Sequence, residues 1–277
     1  YDAAGNLTLD DRGVGYVYDF ENRLVQVFDD ANSNGAYDGG ETVLAEYDYD
    51  ALGRRIAFVN DYDRSGIYGT SPTRVTTWYV HDGQNEIEEY NTNGVRQRYF
   101  VHGTQYIDER AVMYDEDAPH SGGDAQDYYY LLKDLYSVVG LVNRQGHDVE
   151  RYVYDAYGKV KVVETDIADV DFDGHVFASD KGAITSVFRW NKPGCEVGTV
   201  YDIDGDGTVF AGDKGTITSV GHWGNVNTEI PASGLGNPYY FTGRRLDFLS
   251  ELSTQNPALQ VYDYRARSYD APNGRFR

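Results

Sequence analysis

Residues 169–180 and 202–213 are two copies of one twelve-residue pattern, and each copy prescribes its own backbone. The first reads Asp169-Val-Asp171-Phe-Asp173-Gly174-His175-Val-Phe-Ala-Ser-Asp180, the second Asp202-Ile-Asp204-Gly-Asp206-Gly207-Thr208-Val-Phe-Ala-Gly-Asp213. Carboxylates stand at positions 1, 3, 5 and 12 and glycine at position 6, the ligand spacing of an EF-hand-type calcium loop. A hard cation of that size takes about six to eight oxygens, and a tight turn whose alternate side chains converge supplies them. Glycine at position 6 permits the sharp bend. The expected ligands are therefore Asp169, Asp171, Asp173 and Asp180 in one loop and Asp202, Asp204, Asp206 and Asp213 in the other. The carbonyls of His175 and Thr208 complete the sets at position 7.

Both loops run into nearly the same tail, Lys181-Gly-Ala-Ile184-Thr-Ser-Val187 and Lys214-Gly-Thr-Ile217-Thr-Ser-Val220. Ile184, Val187 and Phe188 sit at i, i+3 and i+4, and Ile217 and Val220 repeat that spacing. This predicts two short helices with apolar faces packed on each other. Over residues 166–225 the chain resembles a type I dockerin, a calcium-binding module of two loop-helix repeats closed by Asp at position 12. The resemblance implies a cohesin-like partner reading loop positions 10 and 11, here Ala178-Ser179 and Ala211-Gly212. The other reading is a calcium-stapled insert with no external partner, since another fold continues on both flanks.

A third loop, Asp30-Ala-Asn32-Ser-Asn34-Gly35-Ala36-Tyr-Asp38-Gly-Gly-Glu41, satisfies the full EF-hand pattern, including the closing Glu. Its ligands are expected to be Asp30, Asn32, Asn34, the Ala36 carbonyl, Asp38 directly or through water, and Glu41. The flanks Arg23–Phe28 and Thr42–Tyr47 read as strands, so this ion would pin a hairpin tip. Asp61-Tyr-Asp63-Arg-Ser65-Gly66 begins the same pattern but has Pro72 at position 12.

The flanking fold is announced by tyrosine, 26 of 277 residues, much of it in Tyr-Asp pairs. Tyr1-Asp2-Ala-Ala-Gly5, Tyr49-Asp50-Ala-Leu-Gly53 and Tyr154-Asp155-Ala-Tyr-Gly158 share one context. An aromatic and β-branched run, an Asp- and Gly-containing turn and a second such run make a β-hairpin, and repeated hairpins make a solenoid-like sheet. With Tyr128–Val142, Arg151–Gly158, the block Asn237-Pro-Tyr-Tyr-Phe-Thr-Gly-Arg244-Arg245 and the run Tyr264–Phe276, the chain resembles the RHS or YD-repeat family. Two departures stand out. Tyr136 replaces the family's glycine before Ser137, and the dockerin-like pair separates Tyr154-Asp155 from Asn237-Pro238.

The net charge of −21 argues against nucleic acid or an anionic membrane as partner and favours divalent cations. A single cysteine, Cys195, allows no intrachain disulfide, leaving calcium to do the stapling. The six histidines are scattered, and neither a His-x-x-x-His nor a Gly-x-Ser-x-Gly element is present, so no enzymatic activity is expected. Both ends read as cuts from a longer protein.

These observations predict a mainly β protein: an antiparallel YD-repeat hairpin sheet or shell with a small helical EF-hand-like insert. The expected divisions are hairpins and the start of the RHS core at 1–164, the calcium-binding insert at 165–228 and closing strands at 229–277. Residues 1–160 and 237–277 are expected to form one continuous antiparallel structure, the closing strands pairing with the hairpins around Tyr128–Val142 and Arg151–Val163. The expected role is a secreted or cell-surface structural segment, contacting neighbouring YD repeats or copies of itself. The resemblance implies as an alternative the end of a shell that encloses and releases a toxin encoded beyond residue 277.

Overall fold

A computed structural model describes residues 1–60, 74–116, 126–194, 199–230, 233–249, 260–265, 267–272 and 274–276. The Asp61–Pro72 pattern and Cys195 lie outside the described residues.

One local interaction recurs at the hairpin tips. In seven turns an Asp or Asn accepts the amides two and four residues ahead on a single Oδ1: Asp2, Asp10, Asp19, Asp50, Asn91, Asn143 and Asp155. Three residues on, a left-handed residue closes the turn; it is glycine except at Asn22 of the Asp19 turn. The side chain thus holds backbone donors that a tight turn leaves without strand partners. The tyrosine before the acid has its own task. Tyr18, Tyr49 and Tyr154 each donate a hydroxyl hydrogen bond to a main-chain carbonyl further back, at Leu7, Leu24 and Val138, over 3.1, 2.9 and 2.5 Å. In these Tyr-Asp pairs the acid closes its own turn and the tyrosine ties it to earlier chain.

Five of these turns link successive strands of an antiparallel meander: β1 Val14–Tyr18, β2 Leu24–Asp29, β3 Thr42–Tyr49, β4 Arg55–Asn60, β5 Val75–Asp82 and β6 Asn85–Tyr90. It continues through β7 Arg96–His102, β8 Arg110–Asp115, β9 Gln126–Leu132, β10 Val138–Val142, β11 Asp148–Tyr154 and β12 Val160–Glu164. An inserted lobe follows, with helices α1 Ala178–Ile184 and α2 Ala211–Ile217 and a small ladder of β13 Lys192–Pro193 with β14 Thr208–Val209. The exit strand β15, Thr228–Ile230, pairs with β12 and completes a thirteen-stranded sheet.

The closing segment departs from expectation. β16 Arg245–Phe248, β17 Gln260–Asp263, β18 Ser268–Asp270 and β19 Arg275–Phe276 form a separate four-stranded sheet, with no ladder to the hairpins among the described residues. Tyr239–Phe241 is not a strand running into the meander. Phe241–Gly243 forms a 3-10 turn, and the Tyr240 carbonyl accepts the Val138 amide at 3.0 Å. The reason is side-chain chemistry: the closing residues are large aromatics and arginines, which cover the face of a sheet better than they extend its edge.

That cover spans the meander. Tyr239, Tyr240, Leu246 and Tyr262 pack with Phe100, Met113, Tyr128, Leu141 and Tyr152 in one core, while Leu249 and Val261 join Val27, Leu44, Tyr47 and Phe58 in a second. Buried ion pairs cross the same seam. Arg55 of β4 meets Asp247 of β16 at 2.5 Å, Arg245 of β16 reaches Glu86 at 2.7 Å and also Glu89 of β6, and Arg12 meets Asp270 of β18 at 2.7 Å. Removing one partner of such a pair leaves a charge stranded, at about 3–5 kcal/mol. The missing glycine before Ser137 changes little. Leu135 and Tyr136 adopt φ of 56° and 59°, the conformation glycine would take, and the Tyr136 ring stacks on Tyr106 at 4.7 Å.

Two outcomes are expected. Asp155→Ala, which deletes the acceptor of the Tyr157 and Lys159 amides, should lower stability by about 1–2 kcal/mol, whereas Asp155→Asn keeps an Oδ1 and should lose well under half of that. Equal losses in urea unfolding would refute this account of the turn. Burial pushes the Glu86 carboxyl up to about 7, against the pull of Arg245 and with help from Glu89. A raised folded-state value means that its stabilisation is complete below the ordinary carboxylate range and is lost as pH rises through about 7. Glu86→Gln should therefore flatten the decline in stability between about pH 4.5 and 7; an unchanged slope would count against it.

Candidate metal centres

The three loops singled out by spacing adopt one hydrogen-bond frame. Position 1 accepts the glycine amide of position 6: Asp30 from Gly35 at 2.7 Å, Asp169 from Gly174 at 3.0 Å, Asp202 from Gly207 at 2.9 Å. Position 3 accepts the amide of position 5, with Asn32, Asp171 and Asp204 at 3.0, 3.2 and 3.2 Å. Position 5 accepts the amide of position 7, from Ala36, His175 and Thr208 to Asn34, Asp173 and Asp206 at 2.7, 2.9 and 2.8 Å. The acid at position 12 accepts the amide of position 9 in all three: Glu41 from Asp38, Asp180 from Phe177 and Asp213 from Phe210, at 2.9, 2.9 and 2.7 Å. Gly35, Gly174 and Gly207 all have positive φ, 74°, 94° and 92°. The bend that spacing required at position 6 is present each time.

In the lobe this frame gathers the acids of positions 1, 3 and 5. Ligand oxygens of Asp169, Asp171 and Asp173, and likewise of Asp202, Asp204 and Asp206, lie within 4.8 Å of one another. Asp180 and Asp213 stand outside these two groups and have a second task that spacing did not reveal. Both are wholly buried at the third position of α1 and α2. Asp180 Oδ1 accepts the Val170 amide at 2.9 Å, and Asp213 Oδ1 accepts the Ile203 amide at 2.6 Å, so each acid staples the start of its loop to the start of its helix. In the hairpin loop, Asn32 and Asn34 donate their side-chain amides to Asp38 at 2.8 and 2.7 Å.

The residues fit a hard cation on two grounds. Glu41 Oε1 and Asp202 Oδ1 are buried carboxylate oxygens with no hydrogen-bond partner, the kind of acceptor a cation satisfies. Crowding is the second. Burial, with Asp180 and Asp173 nearby, holds the Asp169 carboxyl above its usual range; burial, with Asp213, Asp206 and Asp202, does the same for Asp204. A dication reverses both effects.

The helices correct one expectation. They end at Ile184 and Ile217, and Val187, Phe188 and Val220 lie exposed rather than packed between them. Thr185 and Thr218 sit at the C-caps and turn their hydroxyls back onto the carbonyls of Lys181 and Lys214, a local bond that competes with further helix. The lobe's core is made instead by loop positions 2 and 8, Val170, Val176, Ile203 and Val209, with Ile184 and Ile217. The units interlock crosswise: the Val176 amide binds the Asn225 carbonyl beyond α2, and the Val209 carbonyl accepts the Asn191 amide beyond α1. Sequence spacing also missed Asn227, whose side chain donates to Asp169 at 3.1 Å and accepts the Asp166 amide, locking the exit of the lobe to its entrance. These partners are some 60 residues apart in sequence, beyond the reach of any local pattern. His147 Nε2 donates to the Val200 carbonyl at 3.1 Å, tying the lobe to the β10–β11 turn.

No family model matches the chain, and no curated protein matches it. Among solved structures, the crystal structures of TcdB2-TccC3-TEV and of TcdB2-TccC3 are similar to it. Both align over 100% of this chain with a TM-score of 0.50, at 15% and 13% identity. The chain spans about a tenth of their length, 9% and 10%. At that identity the likeness concerns the fold alone, which is mainly antiparallel β.

Asp180→Ala should destabilise the lobe by about 2–4 kcal/mol even in chelator, because buried amides lose their acceptor. Asp171→Ala, which gives up one exposed amide bond at 3.2 Å but also relieves crowding, should change the stability of the chelated lobe by well under about 1 kcal/mol. Hydrogen exchange over residues 166–227 in chelator measures both, and equal effects would contradict the division between staple and ligand.

Proposed function

We propose that this chain is a non-enzymatic segment of a secreted or cell-surface YD-repeat shell, in which calcium stiffens the inserted lobe and the hairpin tip at residues 30–41. The observation that carries the reading is the shared frame of the three loops: it aims acceptors inward at the same positions in two unlike settings, a helical lobe and a β-hairpin. Asp169, Asp171 and Asp173, Asp202, Asp204 and Asp206, and Asp30, Asn32, Asn34 and Glu41 would hold the ions. The carbonyls of His175, Thr208 and Ala36 would join them, with Asp38 as a further acceptor. Asp180 and Asp213 would act mainly as staples, with a lone pair of Oδ2 left over for the ion.

The role in a shell rests on architecture. A wide meander whose apolar face is sealed by a second sheet is a wall, and its edge strand β15 would pair onward with a neighbouring repeat or a second copy, whereas β1 is already partly covered by residues 8–10. The RHS-like fold also supports the narrower reading that this is the closing part of a shell around a toxin carried further along the chain. For the lobe, a cohesin-like partner would meet the exposed Ala178-Ser179 and Ala211-Gly212. The bonds of His147 and Asn227 favour instead a built-in brace. No helix among the described residues is long and apolar enough to cross a membrane.

Calorimetric titration of the metal-free chain should show three calcium ions bound, and Glu41→Gln should remove one of them while leaving exchange protection in the lobe unchanged. Chelation should release protection across residues 166–227 well before residues 1–60, because carboxylates crowded without an ion repel each other while the hairpins rest on aromatic packing. Absence of calcium-dependent heat and protection would sink the proposal.

A further inference from the structure

Between the meander and the closing block lies a cavity of about 60 Å³ with an unusual lining. Six arginines border it, Arg54, Arg55, Arg110, Arg244, Arg245 and Arg265, against the carboxylates Glu86, Asp108 and Asp263. Asp50, Asp247 and Glu89 just beyond the lining also pair with these arginines, so the charges nearly balance and the question is which donors stay unmet. The acids of the lining are already engaged. Glu86 pairs with Arg245 at 2.7 Å, Asp108 with Arg265 at 2.7 Å and Arg244 at 3.0 Å, and Asp263 with Arg55 at 3.4 Å. Arg54, also on the lining, pairs with Asp50 at 2.6 Å.

Arg110 is different. It is 94% buried (6% exposed), and no carboxylate among the described residues lies within ion-pair distance of it. Its Nε and Nη1 are buried and make no hydrogen bond, and its guanidinium lies 4.0 Å from the centre of the Tyr239 ring. Stacking on the ring face holds the guanidinium plane but leaves its N–H fork unsatisfied. Two neighbours in the lining are also unsatisfied: the Tyr239 hydroxyl and Arg244 Nε. A buried cation with idle donors is costly to fold. Unmet donors on three residues that line one polar cavity match the acceptors of an oxyanion.

We infer that this cavity binds one small inorganic oxyanion of the sulfate or phosphate class, held by Arg110 with Arg244 Nε and the Tyr239 hydroxyl. Arg110 belongs to β8 of the meander, whereas Tyr239 and Arg244 belong to the closing block, so the anion would clamp the wall to its cover. The site is independent of the calcium loops and stands if those fail.

The test is a titration of the full chain with sodium sulfate in calcium-containing chloride buffer, at constant ionic strength, by calorimetry and thermal unfolding. Saturable binding with a rise in melting temperature is expected, and sodium acetate at equal concentration should not reproduce it. Arg110→Met should weaken binding roughly tenfold or more, the effect of losing a charge-assisted hydrogen bond. Should Arg110→Met fail to fold, Arg244→Lys, which keeps the charge but removes Nε, should weaken binding by about fivefold or more. Lys161→Gln, at an exposed lysine of β12 away from the lining, should bind sulfate as the parent does. Failure of sulfate to saturate or to exceed chloride, equal binding of acetate, or parental affinity in both Arg110→Met and Arg244→Lys would each overturn the inference.

Discussion

A thirteen-stranded antiparallel meander has one overriding requirement: the apolar face of a sheet that wide must be covered, because its own turns cannot fold back over it. The closing block meets that requirement. Tyr239, Tyr240 and Tyr262 are fully buried and supply large apolar surfaces, while pairs such as Arg55 with Asp247 and Arg12 with Asp270 set where the cover sits. Aromatic burial provides most of the driving force, and the ion pairs provide register. A displaced cover would strand several charges in a desolvated layer.

The same logic explains why so acidic a chain holds arginines at its centre. Most carboxylates serve the surface, and at the turn tips a single Oδ1 organises two amides, as at Asp50 and Asp155. The arginines gather where strands from distant parts of the sequence meet, because a planar, permanently charged donor group can both stack on tyrosine and bind carboxylate in a dry seam. Arg245 does both, contacting Glu86 and lying 4.4 Å from the Tyr79 ring centre.

In the lobe, a short pattern carries two kinds of instruction. Asp169, Asp171 and Asp173 converge because alternate side chains of a tight loop have no other direction to take. Asp180 converges on backbone amides because the start of a helix offers unpaired donors. Both follow from the same twelve residues, yet only the first is visible as ligand spacing. The second depends on where α1 begins, and that in turn on Ile184 finding Val176 and Ile217 in the lobe's core.

The sequence by itself determined everything whose cause lies within about a dozen residues. That covers the Tyr-Asp turns, the alternation of strand and turn, the three loop frames with their positive-φ glycines, and the strands flanking residues 30–41. Helix length was less legible: Val187 and Val220 continue a helical spacing, but threonine and serine back-bonding ends the helices before that spacing is used. Tertiary structure alone decided that the closing strands form a separate sheet rather than extending the meander. An aromatic and arginine-rich strand satisfies edge pairing and face covering equally well on paper, and only the exposed face of a completed meander makes the second more favourable. It also decided Asn227 on Asp169, His147 on Val200 and the unpaired Arg110, since each joins residues that no local period connects. Burial then sets their energetics, because an unmet donor or charge is tolerable in water and expensive inside.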